Sequence, residues 1–518
     1  MVEYFNTIFN KMHSLNVMLG QEAQSYEYFQ NVATIDGISD DYYQWYNMGA
    51  GSTLKAPSSN YTGDKMLSYF ARINYSFKDR YLVTVTGRFD GSSKFGEDNR
   101  FAFFPSAALG WRASEEDFLK GNKVISNLKP RVSYGFTGNS GIPTYGSMAN
   151  LSTSGMAYPF GGTRENGIGV GSLANPLLRW EKTGQFNVGL DLGFFNERIS
   201  LSADYYIKHT TDMLLNAPVP TTSGFRSIST NIGNMRNSGF EFTLNTQNIQ
   251  TKNFSWSSML NFSSLKNKIT ALSQGDADII MAPNNLTILR VGESVGSFFG
   301  YIRDGVWGEN EAEQAAIYGK LPGDAKLRDV NNDKQINESD RVILGKGIPD
   351  FYGTFTNTFK YKDFDLVIEL QYSCGSKIYW DGLGTCAMRQ GIANSLSMVL
   401  DTWTPENQGA TLEQIRPSNA YYNSLKDDAR LYNGSFIRGK NISLGYNLPS
   451  DICKKLHLKA LRVTLSAQNI FVISQYPGFD PETTVYNTTT QNEAFAQNIE
   501  TFGYPKPRTF SFGANITF

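Results

Sequence analysis

The sequence predicts an all-β protein, a transmembrane antiparallel β-barrel with long loops at one end. Three observations predict it: apolar residues recur with period two, connections alternate between short and long, and the composition is rich in aromatics and glycine but poor in charge. Charged residues make up 18% of the 518 residues, below the roughly 25% typical of soluble domains. Aromatics reach 14%, and there are 48 glycines. The 47 Lys and Arg balance 48 Asp and Glu, a net charge of −1, whereas a nucleic-acid binder carries a basic excess. Strand-favouring Tyr, Phe, Thr and Val displace strong helix formers, so helical folds are excluded. No apolar run approaches the roughly 18 residues of a helical span, but barrel strands need only about 9 to 11, half of them apolar.

Fifteen alternating segments follow one another along the chain. They lie near 2–9, 13–24, 67–76, 80–90, 101–112, 128–137, 186–194, 198–208, 237–248, 253–264, 352–360, 364–372, 435–447, 459–468 and 508–518. In the eighth, Ile199, Leu201, Ala203, Tyr205 and Ile207 alternate with Ser200, Ser202, Asp204, Tyr206 and Lys208. The apolar set is expected to face lipid and the polar set the interior, so arginine should be costly at Leu201 and tolerated at Ser202. Short connections fall near 10–12, 77–79, 113–127, 195–197, 249–252, 361–363 and 448–458. Long ones fall near 25–66, 138–179, 209–236, 265–351, 373–434 and 469–507, with a shorter one at 91–100. Outer-membrane barrels have this asymmetry, with short periplasmic turns and long extracellular loops. Soluble sandwiches have comparable loops at both ends. Aromatics at strand ends, Tyr75, Phe77, Tyr81, Phe101, Phe103, Tyr361, Phe510 and Phe518, suit interfacial girdles.

Within the 265–351 loop, residues 329–340 carry oxygen ligands at the spacing of an EF-hand loop. Asp329, Asn331, Asp333 and Asp340 are the candidate side-chain ligands, and Gln335 offers its backbone carbonyl. The expected ion is structural Ca²⁺. Lys334 replaces the glycine usual at the sharp turn, and Asp340 replaces the bidentate glutamate, a variation resembling the calcium loop of dockerins. Aromatics in the long loops are the candidate ligand contacts: Tyr42, Tyr43, Trp45, Tyr46, Tyr379, Trp380, Tyr421 and Tyr422. Flat rings beside Asn, Asp and Gln suit sugars or peptide backbones, although large rings also serve packing. No catalytic residue is assigned. The three histidines, His13, His209 and His457, lie on separate segments without metal-ligand spacing, and the glycines of 162–171 lack the Lys-Ser/Thr of a phosphate loop.

An ordered set of motifs resembles the SusC/RagA-type TonB-linked outer-membrane transporters, from about residue 10 to the C-terminus. It comprises Gly87-Arg-Phe-Asp-Gly-Ser-Ser-Lys-Phe95, Phe104-Pro-Ser-Ala-Ala-Leu-Gly-Trp111, Trp180-Glu-Lys-Thr183, Asn231-Ile-Gly-Asn234 and Asn237-Ser-Gly-Phe-Glu241. Phe436-Ile-Arg438, Asn441-Ile-Ser-Leu-Gly-Tyr446, Gln468-Asn-Ile-Phe471, Tyr476-Pro-Gly-Phe-Asp-Pro-Glu482 and Pro507-Arg-Thr-Phe510 complete it. The resemblance implies a barrel of about 22 strands around an N-terminal plug. Residues 1–518 then hold about the last fifteen strands, a partial barrel domain without plug, TonB box or signal peptide, roughly the C-terminal two thirds of a transporter. Counting back from Phe518 makes the short turns periplasmic and the first strand here the eighth. The implied function is TonB-dependent uptake of a large nutrient, an oligosaccharide or peptide, across the outer membrane of a Gram-negative bacterium. Implied partners are a SusD-like lipoprotein over the external loops, the TonB complex through the N-terminal region, outer-membrane lipid, and the barrel-assembly machinery, which reads the terminal aromatic strand. Nucleic acid is not among them. The alternative is a calcium-dependent soluble or surface-attached glycan-binding β-protein.

Overall fold

The computed structural model describes residues 2–8, 12–40, 42, 44, 46–153, 156–272, 275–281, 285–386, 394–415, 425–483, 495, 497–501 and 503–518. The protein is all-β and antiparallel, and every expected strand is present. They are Val2–Ile8, His13–Val32, Ser58–Phe77, Tyr81–Ser92, Phe101–Trp111, Ile125–Asn139, Glu181–Phe194, Ile199–Thr211, Asn234–Gln250, Phe254–Ser264, Phe351–Tyr361, Phe364–Cys374, Phe436–Asn447, Ala460–Gln468 and Thr509–Thr517. Among the described residues no helix is long and apolar enough to cross a membrane. The chain falls into two compact units, one of Met1–Ala108, Tyr134–Gly184 and Thr211–Ile232, the other of Leu109–Ser133, Gln185–Thr210 and Gly233–Phe518.

In the first unit consecutive strands pair through Ile8↔His13, His13↔Phe77 and Phe77↔Tyr81. Lys78 and Asp79 both take positive φ, 54° and 53°, the two central positions of a tight turn closed by the Arg80 amide on the Phe77 carbonyl at 3.0 Å, within a three-residue connection. The next hairpin is longer than the alternation suggests: His13–Val32 and Ser58–Phe77 stay paired over 20 residues each, out to Val32↔Ser58. Beyond Ala23 the outer residues Tyr26, Tyr28, Phe29 and Tyr61 keep strand propensity while polar residues occupy both faces, so period two fades although the ladder continues.

The motif residues of this unit meet in a small core. Phe95, Phe104, Leu178 and Trp180 are buried together, with ring centroids of Trp180 5.3 Å from Phe95 and 5.6 Å from Phe104. The Trp180 indole donates to the carbonyl of Arg100 at 2.9 Å. Asn231 closes the same region, accepting from the Arg179 amide at 2.9 Å and donating to the carbonyls of Arg179 and Asp212 at 2.8 and 2.9 Å. These motif residues fasten loop to strand.

In the second unit register separates two faces. Leu201, Leu244, Leu260, Phe355 and Leu370 stand opposite one another in successive strands, forming one apolar row. One residue away, Ser202, Thr243, Asn261, Thr354 and Gln371 form a polar row, linked by hydrogen bonds of 2.9 Å from Thr243 to Asn261 and from Asn261 to Thr354. Ser202 is not the permissive position its polar face suggests. Its hydroxyl donates to Asp191 at 2.8 Å and accepts from Arg131 at 3.3 Å, and Arg131 also bridges Asp191 and Asp204. An arginine there would meet Arg131 and displace that bond.

The described parts of the long loops in the second unit contain sheets of their own. The 265–351 segment contains a four-stranded sheet of Ile279–Met281, Thr287–Leu289, Ser297–Gly300 and Val342–Lys346. Lys377–Trp380 lies between Leu431–Asn433 and Ile499–Glu500 in a second sheet. Leu286, Phe298, Tyr379 and Ile499 make one buried core with Leu344 and Leu431, so segments 265–351, 373–434 and 469–507 share a hydrophobic centre. Short apolar runs supply it, each too brief to signal an element alone.

Candidate functional site

The 329–340 segment wraps its carboxylates around its own backbone. Asp329 accepts from the amides of Asp333 and Lys334 at 3.2 and 2.8 Å, Asn331 from Asp333 at 2.9 Å, and Asp333 from Gln335 at 2.8 Å. Asp340 is fully buried and accepts from Val330 and Asn337, each at 2.9 Å. Asn332 and Lys334 adopt positive φ, 60° and 63°, so Lys334 takes the left-handed turn usually given to glycine, at a cost of about 1–2 kcal/mol. Desolvation and the carboxylates of Asp329, Asp333 and Asp340 together push the Tyr318 hydroxyl up. As placed, the three acids form no cluster of three or more His, Cys, Asp or Glu side chains around a common metal position among the described residues.

The loop aromatics divide. Tyr42 and Tyr46 are exposed, at 80% and 69%. Tyr43, Trp45, Tyr421 and Tyr422 lie outside the described residues. Tyr379 is buried to 0% exposure, its ring 6.2 Å from Phe298 in the loop core and its hydroxyl 3.5 Å from the Leu425 carbonyl. That ring offers no face to a ligand. Trp380, half-buried, makes edge contacts with Tyr432 and Tyr476 at 6.1 and 5.8 Å. The neighbouring strands on both sides of Lys377–Trp380 account for this burial, which composition does not reveal.

Two constellations escape local sequence reasoning. The first is a buried ionic triad. The guanidinium of Arg303 binds Asp427 through Nε at 2.7 Å and through Nη2, and Glu413 through Nη1 at 2.9 Å and Nη2 at 3.1 Å. All three side chains are at most 7% exposed. Burial disfavours the charge on Arg303, but the two carboxylates outweigh it and raise its pKa.

The second constellation lies on the polar face of Phe351–Tyr361, Phe364–Cys374 and Phe436–Asn447, beside a cleft of about 620 Å³. Here the Phe436-Ile-Arg438 motif meets Tyr476-Pro-Gly-Phe-Asp-Pro-Glu482. Arg438, 1% exposed, donates to Asp480 at 2.6 Å and lies 3.1 Å from Glu482. Glu482 also accepts from Gln371 at 2.9 Å and Lys506 at 2.6 Å. Burial pushes the Glu482 carboxyl up, but Lys506, Gln371 and Arg438 together hold it below the usual carboxylate range. Burial also pushes the nearby Tyr476 hydroxyl well up, with the charge of Glu500 adding to it.

Comparison with known proteins adds identity to this geometry. The family described as "TonB dependent receptor-like, beta-barrel" matches residues 3–470. The chain is 36% identical over 518 residues to the TonB-dependent receptor P3 of Formosa agariphila, covering 98% of this chain and 51% of that protein. It is 33% identical over 481 residues to the TonB-dependent receptor SusC of Bacteroides thetaiotaomicron, covering 90% of this chain and 45% of that one. Among solved structures, the RagAB peptide transporter aligns with a TM-score of 0.82 at 27% identity, over 100% of this chain and 54% of that one. The chain thus spans about half the length of the curated relatives it matches, less than the two thirds expected. These relatives are named as receptors and transporters rather than enzymes. An apolar row set against a polar one, long strands paired antiparallel with their neighbours, and this similarity lead to one conclusion: the chain belongs to the TonB-dependent receptor β-barrel family, of SusC/RagA type, and its place is the outer membrane of a Gram-negative bacterium.

Proposed function

We propose that the chain forms the wall and external loops of an importer that carries a large nutrient, an oligosaccharide or a peptide, across the outer membrane. The observation that carries this reading is the 36% identity to a TonB-dependent receptor over nearly the whole chain. A SusD-like lipoprotein closes over the loops, with Tyr42 and Tyr46 on the exposed side where ligand or lid would meet them. The TonB complex supplies energy through the rest of the transporter, since the outer membrane has no energy source of its own. The aromatic strand Thr509–Thr517, followed by the exposed Phe518, is offered to the barrel-assembly machinery. A soluble glycan-binding protein would leave the outward Phe510 and Phe512 in water. Deleting the gene in its native host is expected to abolish uptake of one nutrient class, and a protonophore is expected to do the same to the wild type. Unchanged uptake in both cases would refute the importer reading.

We propose further that residues 329–340 hold Ca²⁺, with Asp329, Asn331, Asp333 and Asp340 as side-chain ligands and Gln335 through its carbonyl. Three acids acting on one region repel one another without a cation. Six gathered oxygens would offset part of the roughly 1–2 kcal/mol lost per ordered residue. Chelation, or Asp329→Ala with Asp333→Ala, is expected to increase protease cleavage between Gly323 and Gly347 while the strands stay folded. A cleavage pattern and metal content indifferent to calcium would make the segment a polar turn.

A further inference from the structure

The apolar face of three neighbouring strands in the second unit carries charge at one level only. In Ile199–Thr211, Asn234–Gln250 and Phe254–Ser264 with its continuation Lys266–Ala271, the positions in phase with Leu201, Leu244 and Leu260 include no Asp or Glu. Asp204 and Glu241 stand opposite one another on the polar face. Four basic residues gather where the apolar face meets the long connections. His209 stands directly opposite Arg236, Arg236 directly opposite Lys268, and Lys266 opposite Ser238 one step below. All four are exposed, and none has a hydrogen-bond or ion-pair partner among the described residues. Residues directly opposite in a ladder have Cα atoms about 5 Å apart, where like charges destabilise the sheet. Arg236 beside Lys268 therefore needs an anion from outside the chain.

The level of the row indicates which anion. Arg236 lies eight residues beyond Leu244 in the same strand, about 26 Å along it and about 20 Å in height at the usual tilt. The lipid-facing apolar band of such barrels is about 25 Å tall, so with Leu244 inside the band the basic row stands at the level of the headgroups. Phe240, Phe242 and Phe262 fill the interval, with successive ring centroids 5.9 and 5.2 Å apart. Tyr205, opposite Phe240, is 45% exposed and Phe240 is 41% exposed. Apolar rings below unpaired cations fit an amphiphile: chains lie along the rings, and a phosphate takes the guanidinium fork of Arg236 and the ammonium of Lys268. We infer that His209, Arg236, Lys266 and Lys268 form a docking site for a phosphate-bearing lipid of the outer leaflet. The inference rests on the outer-membrane placement and not on the importer reading or its nutrient.

The test uses the full transporter isolated in detergent from native outer membranes and stripped of lipid, with bound lipid counted by native mass spectrometry. The probes are monophosphoryl lipid A and the same lipid after removal of its phosphate. The wild type is expected to bind the phosphorylated probe about tenfold more tightly than the dephosphorylated one. Arg236→Gln with Lys266→Gln and Lys268→Gln is expected to abolish that preference while heat-modifiable migration shows the barrel folded, and Arg236→Lys alone is expected to retain it. Should the triple variant fail to fold, the wild-type comparison of the two probes still decides. Equal binding of both probes by the wild type, or an undiminished preference in the folded triple variant, would overturn the site. Displacement of the lipid by an equimolar amount of inorganic phosphate would show that the acyl chains contribute nothing, and would overturn it as a lipid site.

Discussion

Arg303→Met is expected to open the folded loops of the second unit at a cost of about 3–5 kcal/mol, the largest effect of any single substitution considered for this protein. The arginine is the cation between Glu413 and Asp427, which are 7% and 0% exposed. Removing it leaves two carboxylates buried and uncompensated. The backbone is tied at the same place, since the Arg303 amide donates to Asp428 at 2.9 Å and the Asp428 amide to the Tyr301 carbonyl at 3.1 Å. Hydrogen exchange is expected to rise in Arg303–Val306, Ala325–Leu327 and residues 425–430, with little change in the long strands. Replacing the whole triad, Arg303→Met with Glu413→Leu and Asp427→Leu, is expected to recover much of the loss, because apolar groups of similar volume often substitute for a buried ionic set. If Arg303→Met alone leaves exchange unchanged, the triad does not hold these loops.

Leu244→Arg is expected to destabilise the folded barrel by about 2–4 kcal/mol. Leu244 stands in the row with Leu201, Leu260, Phe355 and Leu370 and lies six residues from either Ser238 or Gln250 in its strand Asn234–Gln250, so the charge would sit deep in hydrocarbon. Asn245→Arg is the matched control. Asn245 follows Leu244 directly and lies on the polar face, opposite Ser200 and Met259. Urea-driven unfolding in lipid vesicles measures both, and equal losses would overturn the assignment of the faces.

The strands were legible because period two is a local signal, repeated within single segments such as Phe364–Cys374. Their extent was less so: from Ser25 to Val32 the ladder continues where polar residues occupy both faces and period two is lost. The EF-hand spacing was equally local, a pattern of oxygen-bearing residues read within twelve positions, and Lys334 has a φ of 63°. Tyr379 shows where local reading stops. Its ring looks like a ligand contact beside Trp380 until Phe298 and Ile499, distant in sequence, are found around it. The triad joins Arg303 to residues 110 and 124 positions away, and Glu482 meets Gln371 across 111. Chance acids and bases are common at such separations, so spacing carried no information about them. Arg438 and Glu482 stood within resemblance motifs, and folding turned those two motifs into one site.

These strands are expected to stand in the outer membrane with their apolar rows in lipid and their polar rows facing inward. Nitroxide labels placed singly at positions 365 to 371, in the transporter reconstituted in lipid, test it most directly through relaxation by oxygen and by a water-soluble nickel chelate. Strict alternation is expected, with oxygen dominant at 366, 368 and 370 and the nickel chelate dominant at 365, 367, 369 and 371. Uniform nickel accessibility, or alternation of opposite phase, would contradict it.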